Sequence, residues 1–285
     1  MEQIRTALER ARDEGARPQE PARSKVAPPW LDADLGGTNQ VSRGGPNWTA
    51  EVALDVKHLE SNRIVAFDDT DLRTKSFDIL RTQVLQAMDQ KNWKILGITS
   101  PSAGCGKTVT AVNLAFSIAR QPERSALLVD LDLQKPQVAS TLGIKCRTSL
   151  VDVLGGRTSL PQSVVRAFAG SYHIMVLPVE IPTLRSSAWI ASRPMSEMLQ
   201  EIRKLYESSL VILDLPPMLA SDDVISLLPQ LDCILLVAAV GKSTVAEITE
   251  CNKHLQAAEV VRLVLNKVPE QASNYYAYHR SPRDK

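Results

Sequence analysis

Residues 97–108 read Gly-Ile-Thr-Ser-Pro-Ser-Ala-Gly-Cys-Gly-Lys-Thr, with an apolar strand pattern before them and a helical one after them. That is the setting in which a short loop cradles phosphate. Gly104 and Gly106 let the backbone turn its amides toward one centre, Lys107 reaches the outer phosphates, and the Thr108 hydroxyl suits a magnesium ion. Ala103, Cys105 and Val109 complete the set expected to surround the nucleotide. The match is partial, because Pro101 stands where a first glycine is usual; a glycine-rich turn with an incidental lysine is the competing reading. The flanks weigh against it. Residues 94–99 are short and apolar-rich, and Val109, Val112, Leu114, Ala115, Ile118 and Ala119 recur at helical spacing.

Two further acidic sites close apolar runs. Ala126-Leu127-Leu128-Val129 leads into Asp130-Leu131-Asp132, and Leu210-Val211-Ile212-Leu213 leads into Asp214-Leu215-Pro216-Pro217. Runs of this kind suit strands buried on both faces of a parallel sheet, whose carboxyl ends are where open α/β sheets bind ligands. A lone Asp after a strand is more often a turn or capping residue. Three such motifs together predict convergence at one edge.

These elements imply a doubly wound, mainly parallel α/β sheet of the P-loop NTPase type. A helical pattern covers residues 71–88, then come the loop strand, its helix and the Asp130 strand. Further strands fit residues 173–177, 232–238 and 260–265, with helices at 195–206 and 245–255. Residues 2–14 form a short amphipathic pattern and 16–46 a Pro, Gly and Ser-rich linker, so the arm is placed at 1–50, the nucleotide-binding domain at 51–270 and a tail at 271–285. The arm is either a docking element or unstructured.

Composition narrows the partners. A chain of 285 residues with 44% hydrophobic content can bury a large core, and a net charge of +1 shows no strong electrostatic preference for nucleic acid, so no nucleic acid partner is called for. Cys105, Cys146, Cys233 and Cys251 lack metal-ligand spacing and are read as reduced thiols, Cys105 as a small filler or an oxidation-sensitive one. The amino terminus lacks the apolar core of a signal peptide and no apolar run is long enough to span a bilayer, so a cytoplasmic location is expected.

Taken together, the three motifs resemble the bacterial tyrosine kinases of exopolysaccharide and capsule synthesis, relatives of the MinD/ParA-like partitioning ATPases. The resemblance runs from about residue 62 onward. It implies an ATP- and Mg2+-dependent protein-tyrosine autokinase in which Lys107, Asp130 and Asp132 are catalytic, with Asp130 meeting the tyrosine hydroxyl. Thr108, Asp132 and Asp214 would hold the metal, and Asn266 would read the adenine or serve as an ordinary turn residue. The cluster Tyr275, Tyr276 and Tyr278 matches the tail these kinases phosphorylate, offered to a neighbouring subunit, although a bland aromatic tail is the alternative. The implied partner is a membrane-embedded polysaccharide co-polymerase that brings the protein to the inner face of the membrane.

Departures from the pattern bear on the assignment. Ser102 replaces the signature lysine of partitioning ATPases, and Gln134 stands where an arginine usually follows the double-aspartate motif, with Lys135 beside it. Lys75, Asp78 and Arg81 replace the Glu-x-x-Arg-x-x-Arg of ring assembly, and Arg185 to Trp189 replace an Asn-Pro-x-Glu-Leu segment. Self-association is expected, ring assembly is left open. A partitioning or positioning ATPase, and a non-catalytic nucleotide-dependent adaptor, stay as alternatives.

Overall fold

A computed structural model describes residues 50–269, which hold β1 (Ala50–Ala53), β2 (Ile95–Thr99), β3 (Ser125–Asp130), β4 (Val165–Ala169), β5 (Tyr172–Leu177), β6 (Ser209–Asp214), β7 (Cys233–Ala239) and β8 (Val260–Asn266). They make one sheet in the order β1-β4-β5-β3-β6-β2-β7-β8. From β5 to β8 every neighbouring pair is parallel. The proposed arm, including its helix at 2–14, and the tyrosine tail lie outside the described residues.

The continuous apolar runs are explained by two covered faces. β2, β6 and β7 are buried at every residue, and successive side chains point into opposite layers. Leu96, Ile98, Leu128, Ile212 and Leu235 pack with Leu114 and Phe116 of the loop helix Lys107–Ala119. Ile95, Leu127, Val129, Leu213 and Leu236 pack with Met195, Leu199 and Ile202 of the helix Arg193–Leu205.

Sequence periodicity does not reveal the far edge of the sheet. β4 runs antiparallel to β5 across a two-residue connection at Gly170-Ser171, and β1 adds in parallel to β4. Gly170 sits at φ 59°, a turn conformation natural to glycine. The alternating burial of Val165 to Ala169 is the signal that betrays β4, but the run is too short to stand out.

Ends of elements shift by a few residues where side chains intervene. The helix expected at 71–88 spans Thr74–Lys91, since the Asp71 carboxylate accepts the Arg73 amide at 2.8 Å and holds a turn ahead of it. Ser192 caps the helix Arg193–Leu205 two residues earlier than the pattern suggested. β7 starts after Asp232 because that carboxylate serves β2 instead: it accepts the Lys94 and Ile95 amides at 2.8 and 2.7 Å, and Arg203 clasps it with two bonds of 2.9 Å.

Burial works to raise the Asp232 carboxyl, but Arg203 and the two amides outweigh it and hold the group below the usual carboxylate range. A lowered folded-state value adds stability above the unfolded value and loses it as pH falls through the folded one. Asp232→Asn is therefore expected to cost about 2 kcal/mol near neutrality. In urea titrations that deficit should shrink between pH 7 and pH 3; a gap independent of pH would refute the account.

Candidate functional site

The phosphate loop joins the end of β2 to the helix Lys107–Ala119. Gly104 and Gly106 lie at φ 78° and 94°, and at Gly106 a Cβ would come within 2.3 Å of Asn266 Nδ2. Only glycine fits both demands. Three of the loop's carbonyls are already claimed: Ser100 Oγ bonds the Ser102 carbonyl at 2.8 Å, Lys267 Nζ that of Gly104 at 2.7 Å, and Asn266 Nδ2 that of Cys105 at 2.9 Å. What the loop has left to offer a ligand is its amides.

The acidic motifs arrive through strand register. Asp130 pairs with Asp214 across β3 and β6, and Asp214 with Ile98 of β2. Lys107 Nζ lies 2.9 Å from Asp132 Oδ2 and 3.8 Å from Asp214 Oδ1, and Thr108 Oγ1 donates to Asp214 Oδ2 at 2.6 Å. All four side chains are buried. Burial alone would depress the Lys107 ammonium, but Asp214 and Asp132 more than offset it and hold it above the ordinary lysine value. Asp214, wholly buried, is pushed above the usual carboxylate range by loss of water, with Lys107 and Thr108 working against the rise.

A cavity of about 360 Å³ opens above this floor. Ala103, Gly104, Gly106, Lys107, Thr108 and Val109 line it, as does Asp132. Cys105 stays behind the loop, its Sγ 3.4 Å from Ser243 Oγ. Besides Cys105, two predicted residues stand elsewhere. Asn266 braces the loop from below and is not on the cavity wall; Lys267, its neighbour, is.

Asp130 is the second. Its Oδ2 accepts the Gln137 and Val138 amides at 3.1 and 3.0 Å and its Oδ1 that of Asp132 at 3.2 Å, and it has no exposed surface. Burial and the nearby Asp214 push its carboxyl well above the usual range. In this structure Asp130 is the clamp of the loop that carries Asp132, and it is not on the cavity wall.

Sequence reasoning missed Arg63, Gln137, Thr141 and Ser221 on the same wall. Gln134 also lines the cavity, and its Nε2 donates to Ser186 Oγ at 2.8 Å, so the altered segment at 185–189 supports the residue that replaces the usual arginine. Of the residues at the ring-assembly positions, Asp78 accepts from Arg81, Ser117 and Arg120 within the chain. Asp78 and Arg81 are thus paired internally, while Lys75 is exposed.

AmsA of Erwinia amylovora, which carries a tyrosine-protein kinase name, is 30% identical over 229 residues, 79% of this chain and 31% of its own length. Tyrosine-protein kinase YwqD of Bacillus subtilis strain 168 is 28% identical over 228 residues, 78% of this chain and 92% of YwqD. The solved kinase domain of VpsO superposes with a TM-score of 0.60 at 26% identity, over 70% of this chain and 97% of that one. The chain spans about a third of the length of AmsA, with 31% covered. The profile described as "CobQ/CobB/MinD/ParA nucleotide binding domain" matches residues 96–280, most of the described fold and well over half the chain, and the chain belongs to that family.

Proposed function

We propose that this chain is an ATP-dependent protein-tyrosine autokinase serving exopolysaccharide or capsule assembly, with Tyr275, Tyr276 and Tyr278 as acceptors. The observation that carries the reading is the buried set Lys107, Thr108, Asp132 and Asp214 at the foot of a glycine-turned loop. Likeness to relatives named tyrosine-protein kinases selects phosphoryl transfer to tyrosine among the chemistries such a site supports.

The donors fit magnesium. Asp214 Oδ1 is buried without a hydrogen-bond partner, and hydroxyl and carboxylate oxygens suit a hard cation. Among the described residues no group of three His, Cys, Asp or Glu side chains could hold a metal alone, so the ion would share its ligands with phosphate. Bound beside Thr108, Asp132 and Asp214, it would supply charge neutralisation at the outer phosphates.

The loop amides hold the inner phosphates, and Lys107 turns from its carboxylates to the outer ones. Asp132, the carboxylate that reaches the cavity, meets the acceptor hydroxyl in place of Asp130. A tyrosine hydroxyl has a pKa of about 10, so its proton leaves as the bond to phosphorus forms rather than beforehand. Pro216 and Pro217 form part of the opposing wall.

A membrane-embedded co-polymerase is the proposed partner, holding this domain at the inner face of the membrane. Among the described residues no helix is long and apolar enough to cross a bilayer. Incubating the pure protein with magnesium and ATP, then mapping phosphotyrosine by mass spectrometry, is expected to find phosphate on the three tail tyrosines. Release of inorganic phosphate with unmodified tyrosines would replace this reading with that of a partitioning-type ATPase.

A further inference from the structure

We propose that Arg63 grips the terminal phosphate of the nucleotide and that Asn113 is the residue that positions it. The inference rests on reading the cavity as a nucleoside triphosphate site. Four cations line that cavity, Arg63, Lys107, Lys135 and Lys267, against one carboxylate, Asp132. Lys107 is engaged by Asp132 and Lys267 by the Gly104 carbonyl. Arg63 and Lys135 make no ion pair or side-chain hydrogen bond among the described residues, and of the two only Arg63 carries the planar, two-pronged guanidinium.

Its backbone explains why a charge stands there by design of the fold. The short helix Val56–Ser61 ends with the Arg63 amide on the Glu60 carbonyl and the Ile64 amide on that of Leu59, both at 2.9 Å. A helix end of this kind puts the intervening residue in the left-handed region, where glycine is the usual occupant. Arg63 takes it at φ 62°. A fully buried carboxamide then fixes it: Asn113 Nδ2 donates to the Arg63 carbonyl at 3.0 Å and to that of Val109 at 2.8 Å, and Oδ1 accepts the Val65 and Ala66 amides at 2.8 and 3.0 Å. Asn113 belongs to the helix that Lys107 begins. One side chain therefore ties Arg63 to the phosphate loop's own helix.

Strand order tells which phosphate is within its reach. Lys267 follows β8, the loop follows β2, Asp214 ends β6 and Asp132 follows β3, so the cleft runs from the β8 side to the β3 side. Lys107, the residue for outer phosphates, leans toward Asp132 at the β3 end. The helix Val138–Leu142 lies beyond β3, bringing Gln137 and Thr141 to the wall, and His58 docks on it through the Ser140 carbonyl at 2.9 Å. Arg63 thus stands at the terminal end, opposite Lys267, and a planar guanidinium suits a phosphoryl group.

Calorimetry on the full chain separates the possibilities, using magnesium with a non-hydrolysable ATP analogue or with ADP. Arg63→Ala should weaken the triphosphate about tenfold, the worth of one charge-assisted hydrogen bond, and leave ADP within about twofold. Arg63→Lys should fall between. Arg63→Gly should show the same selective loss with a higher melting midpoint, because glycine suits the left-handed position. Asn113→Ala should repeat the selective loss together with a lower midpoint. Equal weakening of both nucleotides, or of neither, overturns the assignment while leaving the nucleotide site standing. Failure of the wild-type protein to bind either nucleotide overturns the site and the inference together.

Discussion

Lys107→Met is expected to abolish phosphorylation of the tail tyrosines, with the transfer rate falling about a thousandfold, the scale set by removing a charge aimed at the transition state. The structure adds a cost that the motif alone does not suggest. Lys107 is the counter-charge of two buried carboxylates, 2.9 and 3.8 Å away. Taking away one partner of such a buried arrangement costs about 3–5 kcal/mol, and for a fold of this size that lowers the melting midpoint by roughly 10 °C.

The loss should depend on conditions in two ways. Stripped of the lysine that opposes the rise, Asp214 holds a proton still more tightly in the folded state than in the unfolded one. Stability then declines as pH rises through that raised value, so the variant's deficit is smallest in mild acid and grows toward neutrality. Magnesium can substitute for the ammonium, and its addition should raise the variant's midpoint more than that of the wild type. Undiminished phosphotyrosine, or a midpoint equal to that of the wild type at neutral pH, would refute the assignment.

Asp214→Asn is expected to act in opposite directions on activity and stability. Transfer should fall by about a thousandfold, since the residue holds Thr108 and, in the proposed site, would be the metal ligand with an oxygen to spare. Stability should rise by about 1–2 kcal/mol, because a fully buried carboxylate gives way to a neutral group of the same shape while Lys107 keeps Asp132. The Asp214 carboxyl is raised in the folded protein, chiefly by burial. Its ionisation weighs against the fold as pH climbs above the unfolded value of about 4, so the gain from the substitution should widen with pH. Thermal unfolding of both proteins from pH 5 to pH 8 measures it; a variant less stable than the wild type at every pH would show that the charge is needed for folding.

What could be read from the sequence was whatever chemistry lies contiguous with a buried strand. The loop at 103–109, Asp132 and Asp214 all follow apolar runs whose burial on both faces fixes where they end. Residues two apart proved harder to separate: Asp130 and Asp132 share a motif, yet one carboxylate curls back onto the Gln137 and Val138 amides and the other reaches the cleft. Asn266 and Lys267 are likewise hard to separate: Lys267 takes φ 58° and lines the cavity, while Asn266 braces the loop through the Cys105 carbonyl. Arg63 was invisible. It reaches the site through a strand pairing at the opposite edge and a hydrogen bond spanning 50 residues of sequence, neither of which leaves a local pattern.

The position of Lys267 also bears on how the tail is used. Tyr275 comes eight residues after this wall residue, a span of at most about 29 Å when extended. An acceptor at Tyr275 would fall within that contour length of the rim of the proposed nucleotide pocket, so chain length alone does not force the tail onto a neighbouring subunit. Were the connection flexible, a link of that length would set a local concentration on the order of millimolar, against which any second molecule's tail would have to compete. Dilution is the natural arbiter: modification that persists per molecule as the protein is thinned out is a private event, and modification that fades is a social one.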